Sequence, residues 1–277
     1  MRQLFLSVWL ILVFTCLPSQ ADITQTVTLQ PIIDAITQSP EDTLVVMDVD
    51  DVLIKANDQI LQLAHKPALD KIIANLAQTY SLNRIQELIS IVMLQYQTSL
   101  IDPKIKDVFR LLHAKNIKFI ALTAADTGKL GQIDNMEDWR IQTLNDLEFD
   151  FSGSFPEIQP IIFKDLPSTR NSMSFATYKK GILFSSDIPK GKVLKAFLTE
   201  IKGQFKHIIF VDDLRKNLDS VESFCQDASL TYQGFEYTAN ALSLPLNEKR
   251  VKFQIDTLIN KNKWLSDIEA DKELTTS

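Results

Sequence analysis

Short apolar runs that end in polar or acidic residues, separated by stretches of helical period, organise this chain. Leu44–Met47, Ile117–Leu122, Gly181–Phe184 and His207–Val211 are mostly apolar segments with the length and composition of buried strands. Helical periodicity fills the intervals between them. Alternating strands and helices predict an α/β fold with a mostly parallel sheet covered on both faces. Ligands in such sheets bind beyond the carboxyl ends of the strands. Those ends carry Asp48, Thr123, and Asp212 with Asp213.

The interval 56–109 has helical patterns only: Ile60, Leu61, Leu63 and Ala64, then Leu69, Ile72, Ile73 and Leu76, then Ile85, Leu88, Ile89, Val92 and Leu94. One crossover needs far fewer residues, so the reading is a small helical cap inserted between core segments 22–55 and 110–268. Helices packed directly on the sheet are the plainer alternative. Met136–Leu147 reads as a helix, and Phe149–Thr177, with Pro156, Pro160 and Pro167, as a loop or short hairpin. Residues 234–238 read as a last edge strand, 248–268 as a closing helix and 269–277 as a frayed tail.

The chemistry concentrates in Asp48-Val49-Asp50-Asp51. Alternation along extended backbone puts Asp48 and Asp50 on one side. Carboxylates crowded at a strand tip repel one another and resist desolvation, a burden relieved by a hard divalent cation or a shared proton. The plain reading is an acidic surface turn.

The chain carries a net charge of −6. Residues 1–21 read as an export signal: Arg2 precedes an apolar stretch from Leu4 to Leu17, and Pro18-Ser19-Gln20-Ala21 ends it. That stretch is shorter than a spanning helix needs, so no membrane anchor is expected after its removal. Cys16 lacks the small preceding residues of a lipidation site. Without the signal, 28 basic residues face 35 acidic ones, a net −7 that argues against nucleic acid or anionic membrane as the main partner. Only Cys225 then remains, so no internal disulfide forms and stability rests on a core. No glycine-rich nucleotide loop occurs, and His65, His113 and His207 lack metal-ligand spacing. Trp139 and Arg140 read as core packing and a surface ion pair, and Cys225 as inert.

Four segments taken in order, Asp48-Val49-Asp50-Asp51-Val52-Leu53, Phe119-Ile120-Ala121-Leu122-Thr123, Pro189-Lys190-Gly191-Lys192 and Ile208-Ile209-Phe210-Val211-Asp212-Asp213, resemble the four motifs of the haloacid dehalogenase-like (HAD) phosphatase superfamily. More narrowly, the chain resembles the exported bacterial HAD-like proteins of uncharacterised function grouped as DUF2608. The resemblance implies a Rossmann-like core and an exported phosphomonoesterase, periplasmic or secreted, acting on a small phosphorylated metabolite. It implies Asp48 as the nucleophile that forms an aspartyl-phosphate, and Asp50 as the acid/base that a hydrolase needs. It implies Mg²⁺ held by Asp48, the Asp50 carbonyl, Asp212 and Asp213, with Asp213 the first choice of the last pair. Thr123 and Lys190 would hold the phosphate, with Lys192 the competitor of Lys190 and Asp51 a solvated turn residue. A secreted binding or effector protein with vestigial catalysis is the alternative, and phosphotransfer to another acceptor, as in a mutase, uses the same residues.

Overall fold

A computed structural model describes residues 22–169, 174–240 and 244–276. The export segment read at 1–21 lies outside the described residues. The centre is an eight-stranded sheet in the order β1-β10-β9-β2-β5-β8-β7-β6. In chain order these strands are β1 (Asp22–Thr26), β2 (Thr43–Met47), β5 (Lys118–Thr123), β6 (Ile161–Pro167), β7 (Phe175–Lys179), β8 (Ile182–Phe184), β9 (His207–Asp212) and β10 (Thr231–Tyr237). β1 through β8 in the spatial order pair in parallel, and β7 and β6 add an antiparallel edge. The fold is therefore α/β with a mostly parallel sheet.

Every residue of β2 is buried, as a central parallel strand with helices on both faces requires. Alternation sorts the sheet into two cores. Val45, Met47, Phe119, Ala121, Ile209 and Val211 face one layer, made by α1 (Gln30–Gln38), α4 (Ile105–Ala114) and α5 (Met136–Asp146). Leu44, Val46, Ile120, Leu122, Ile208 and Phe210 face the other, made by α6 (Lys190–Glu200) and α7 (Arg215–Asp227). The period-two shift between those sets is what pins the register.

Several sequence expectations change. For 149–177 the hairpin alternative holds over the plain loop, because β6 and the start of β7 lie in it and pair antiparallel. The β7–β8 hairpin turns on Lys180 and Gly181, both at positive φ (48° and 78°), the backbone of a two-residue primed turn. The strand expected at 234–238 is longer and interior, since β1 pairs outside it. The interval 56–109 does hold a strand: β4 (Thr98–Leu100) pairs antiparallel with β3 (Ile54–Ala56), and α4 already packs on the core sheet. Within that interval α2 (Lys66–Ala77) and α3 (Leu82–Gln95) form the helical unit.

The C-terminal helices differ from the closing helix and frayed tail expected there. α8 (Glu248–Lys261) does not close the sheet; its Val251 and Leu258 pack with Leu88 and Ile91 of α3, and with Ile60 and Trp264, in a third cluster. The expected tail is helical too, as α9 (Asp267–Thr276), with Ala270 buried. Arg250 ties it down through Asp267 and Asp271, each at 2.9 Å. A polar terminus reads as frayed until such tertiary pairs hold it. Among the described residues, no helix is long and apolar enough to cross a membrane.

Candidate active site

The tips of the three central parallel strands converge. β2 delivers Asp48, whose backbone N–H donates to the carbonyl of Val211 on β9 at 2.9 Å. Thr123 ends β5 two residues beyond Ala121, which is the register partner of Met47. β9 ends in Asp212, and Asp213 follows it.

Carboxylate oxygens of Asp48, Asp212 and Asp213 lie within 4.8 Å of one another. Lys190, at the first turn of α6, neutralises two of them: its Nζ stands 2.8 Å from Asp48 Oδ1 and 2.6 Å from Asp212 Oδ2. It is 2% exposed, whereas Lys192 faces solvent. Geometry therefore separates the two lysines that the sequence left in competition. Gly191 permits this approach. A Cβ there would lie 2.0 Å from the Ser220 carbonyl oxygen of α7, so only glycine lets α6 start close to that helix.

Asp212 is held by three donors. Its Oδ1 accepts from the Leu214 N–H and from Asn217 Nδ2, both at 2.9 Å, and its Oδ2 takes Lys190. Asp48 Oδ1 accepts from the Val49 N–H at 2.7 Å as well as from Lys190, so Oδ2 is the oxygen left to face a ligand.

The charges strain against their surroundings. Burial raises the Asp48 carboxyl well above the usual range, with Asp212 and Asp213 adding to the rise and Lys190 opposing it. Burial, then Asp212 and Asp51, push Asp213 up to about 7. Burial works against the Lys190 ammonium too, yet Asp48 and Asp212 outweigh it and hold it above its ordinary value. Three carboxyls and one ammonium leave the cluster short of positive charge. Added positive charge is what such a donor set accepts, and all-oxygen ligands suit a hard divalent ion.

Asp50 stands outside the carboxylate cluster. Half of its side chain is exposed (51%), and Oδ2 lies 3.0 Å from Nη2 of Arg140, itself 5% exposed. Arg140 thus corrects the sequence reading of a surface ion pair: it is buried on α5, with its guanidinium 4.9 Å from the Trp139 ring. Burial disfavours its charge, but Asp50 and Tyr96 hold its pKa above the ordinary value. Among the described residues, its Nε and Nη1 have no hydrogen-bond partner, a costly arrangement for a buried cation. No sequence spacing signals it, because its partner lies 90 residues away.

Asp51 also departs from its reading as a solvated turn residue. It is half-buried in the left-handed region (φ 61°), which Asp tolerates, and accepts from Asn240 Nδ2 at 2.5 Å. Burial lifts its carboxyl to about 6, with the Asn240 hydrogen bond opposing. Thr123 is fully buried; its Oγ1 accepts from the Ala125 N–H at 3.2 Å, which leaves the hydroxyl proton to donate. Cys225 is buried and its thiol pushed up to about 12 by that burial, as an inert residue would be.

A family model described as "Protein of unknown function (DUF2608)" matches residues 25–271. An uncharacterized Rickettsia bellii protein is 30% identical over 210 residues, which are 72% of this chain and 69% of its own. An uncharacterized protein of Rickettsia prowazekii is 30% identical over 215 residues, 74% of this chain and 70% of its own. A Chlamydia trachomatis protein bearing an outer-membrane name is 30% identical over 69 residues, 25% of this chain and 26% of its own. Among solved structures, a haloacid dehalogenase-like family hydrolase from Streptococcus pneumoniae is similar with a TM-score of 0.37 and 14% identity, covering 69% of this chain and 93% of that one.

Proposed function

We propose that this chain, which belongs to the DUF2608 family, is an exported phosphomonoesterase that works through an aspartyl-phosphate on Asp48. The observation that carries this reading is the Lys190 ammonium bridging Asp48 and Asp212 beside a third carboxylate at the strand tips. A positive bridge of this kind lets an anionic nucleophile and an anionic phosphate share one site.

Asp48 Oδ2 attacks phosphorus while Oδ1 stays held by Lys190 and the Val49 N–H. The bond to the leaving oxygen breaks as Asp50 gives that oxygen a proton. Asp50 then takes a proton from water, whose oxygen attacks the phosphorus and frees Asp48 with inorganic phosphate. Thr123 donates its hydroxyl to a phosphoryl oxygen without adding charge. Asp48, Asp212, Asp213 and the Asp50 carbonyl would hold Mg²⁺, with Asp212 also orienting Lys190. When bound, the ion would offset the charge of nucleophile and phosphate. Export is supported by the pattern of residues 1–21 and by the outer-membrane name of the Chlamydia relative.

The test is release of inorganic phosphate from a panel of small phosphomonoesters. Activity is expected to fall at least about 100-fold with EDTA and to return with Mg²⁺. Turnover indifferent to chelation, or silence across the panel with and without Mg²⁺, counts against the reading.

Arg140 positions Asp50 in this scheme. Arg140→Met is expected to lower kcat about 10- to 100-fold, and Arg140→Lys to recover part of it, because the acid/base loses its partner but not its carboxyl. Equal kcat in wild type and Arg140→Met would remove Arg140 from the mechanism.

A further inference from the structure

A cavity of about 300 Å³ opens beside Asp50 and Asp51 and runs between α2, α3 and α8. Its lining joins those two acids, Lys55 and Tyr96 to a majority of apolar side chains such as Ile72, Leu76, Ile89 and Met93. α2 buries none of its residues, although Leu69, Ile72, Ile73 and Leu76 follow the spacing of a core-facing stripe. An amphipathic helix normally gains its stability by burying that stripe. Here Leu69 and Ile72 pack partly against the third cluster, and the same stripe lines the cavity together with Asp50.

The position of Asp50 gives the cavity its meaning. The group that protonates the leaving oxygen stands on the leaving-group side of the phosphorus, so whatever that oxygen carries extends past Asp50. We infer that the cavity seats the hydrocarbon chain of a phosphate monoester, placing its phosphate at Asp48 and its leaving oxygen at Asp50. This rests on the phosphatase reading and narrows its small phosphorylated substrate to a lipid-like one. A dry apolar cavity of about 150 Å³ accommodates benzene, so one of 300 Å³ takes a chain of roughly ten to twelve carbons. Met93 adds a flexible wall that adapts to chain shape.

The experiment is a series of n-alkyl phosphates from ethyl to hexadecyl, kept below micelle formation, with kcat/KM measured for each. It is expected to rise about three- to fourfold per methylene, the transfer preference of a buried CH₂, and to level off near roughly ten to twelve carbons. Ile72→Asp, at a half-exposed position, puts a charge in the cavity and is expected to cut the ratio of decyl to ethyl phosphate turnover at least about tenfold; Ile73→Gln is the milder second variant. Calorimetric binding of decyl phosphate to Asp48→Asn protein gives a readout without turnover, with the negative heat-capacity change of apolar burial. Turnover of short esters with a flat chain-length profile overturns the inference and spares the phosphatase reading. Saturable decyl phosphate binding that Ile72→Asp weakens, with no ester hydrolysed by the unsubstituted protein, sustains the cavity and overturns the catalytic reading. Absence of both binding and chain-length dependence overturns the inference.

Discussion

Asp48→Asn is expected to lower phosphate release on the order of 10⁴-fold or more, while leaving the fold intact. The amide keeps the shape of the carboxyl and can still accept from the Val49 N–H, but it cannot form the acyl-phosphate bond. Stability is expected to change little. Burial already opposes a charge at this position, and Lys190 retains Asp212 at 2.6 Å as a partner. Rapid acid quenching with radiolabelled ester checks the prediction at the atom concerned: label should remain on wild-type protein and be absent from the variant. Turnover of the variant within a few-fold of wild type would exclude Asp48 as the nucleophile.

Lys190→Met is the second large effect, and it acts on stability as well as chemistry. Removing the ammonium leaves Asp48 and Asp212, 7% and 0% exposed, facing one another without a counter-charge. Breaking a buried pair from one side typically costs about 3–5 kcal/mol, because the remaining charges keep their desolvation penalty. A matching drop in unfolding free energy is expected from denaturant titration, together with phosphate release at least about 10³-fold lower. Adding Asp48→Asn should recover part of the stability, since it removes one of the two orphaned charges, and none of the activity. Lys192→Met, at an exposed site, should stay within about 0.5 kcal/mol of wild type. If Lys190→Met unfolds with the wild-type midpoint, the bridge does not hold these acids together.

Much of the core was legible because it is written locally. A run such as Leu44-Val45-Val46-Met47 is apolar at every position, and only a strand covered on both faces uses such a run in this setting. The acids after it were visible as an abrupt change of polarity. β6 was hard to read as a strand because Pro160 precedes it and Pro167 ends it at the sheet edge, where a missing N–H is tolerated, and β7 offers only five residues. α9 was missed because its sequence is polar and its partners, Arg250 and the Asp58 that accepts the Asp267 N–H at 2.8 Å, lie elsewhere in the chain.

The amino-acid sequence alone determined the α/β class, the central strands, and the placing of Asp48, Thr123, Asp212 and Asp213 at strand ends. Periodicity and polarity breaks are properties of neighbours in the chain, so a single sequence displays them. Tertiary structure alone decided which lysine meets the acids, that Arg140 is buried against Asp50, and that α8 joins the helical unit around an apolar cavity bordered by Asp50 and Asp51. Each of those depends on a distance between residues far apart along the chain. Burial then turns such a distance into chemistry, because a charge sheltered from water feels its partners strongly and one in solvent does not.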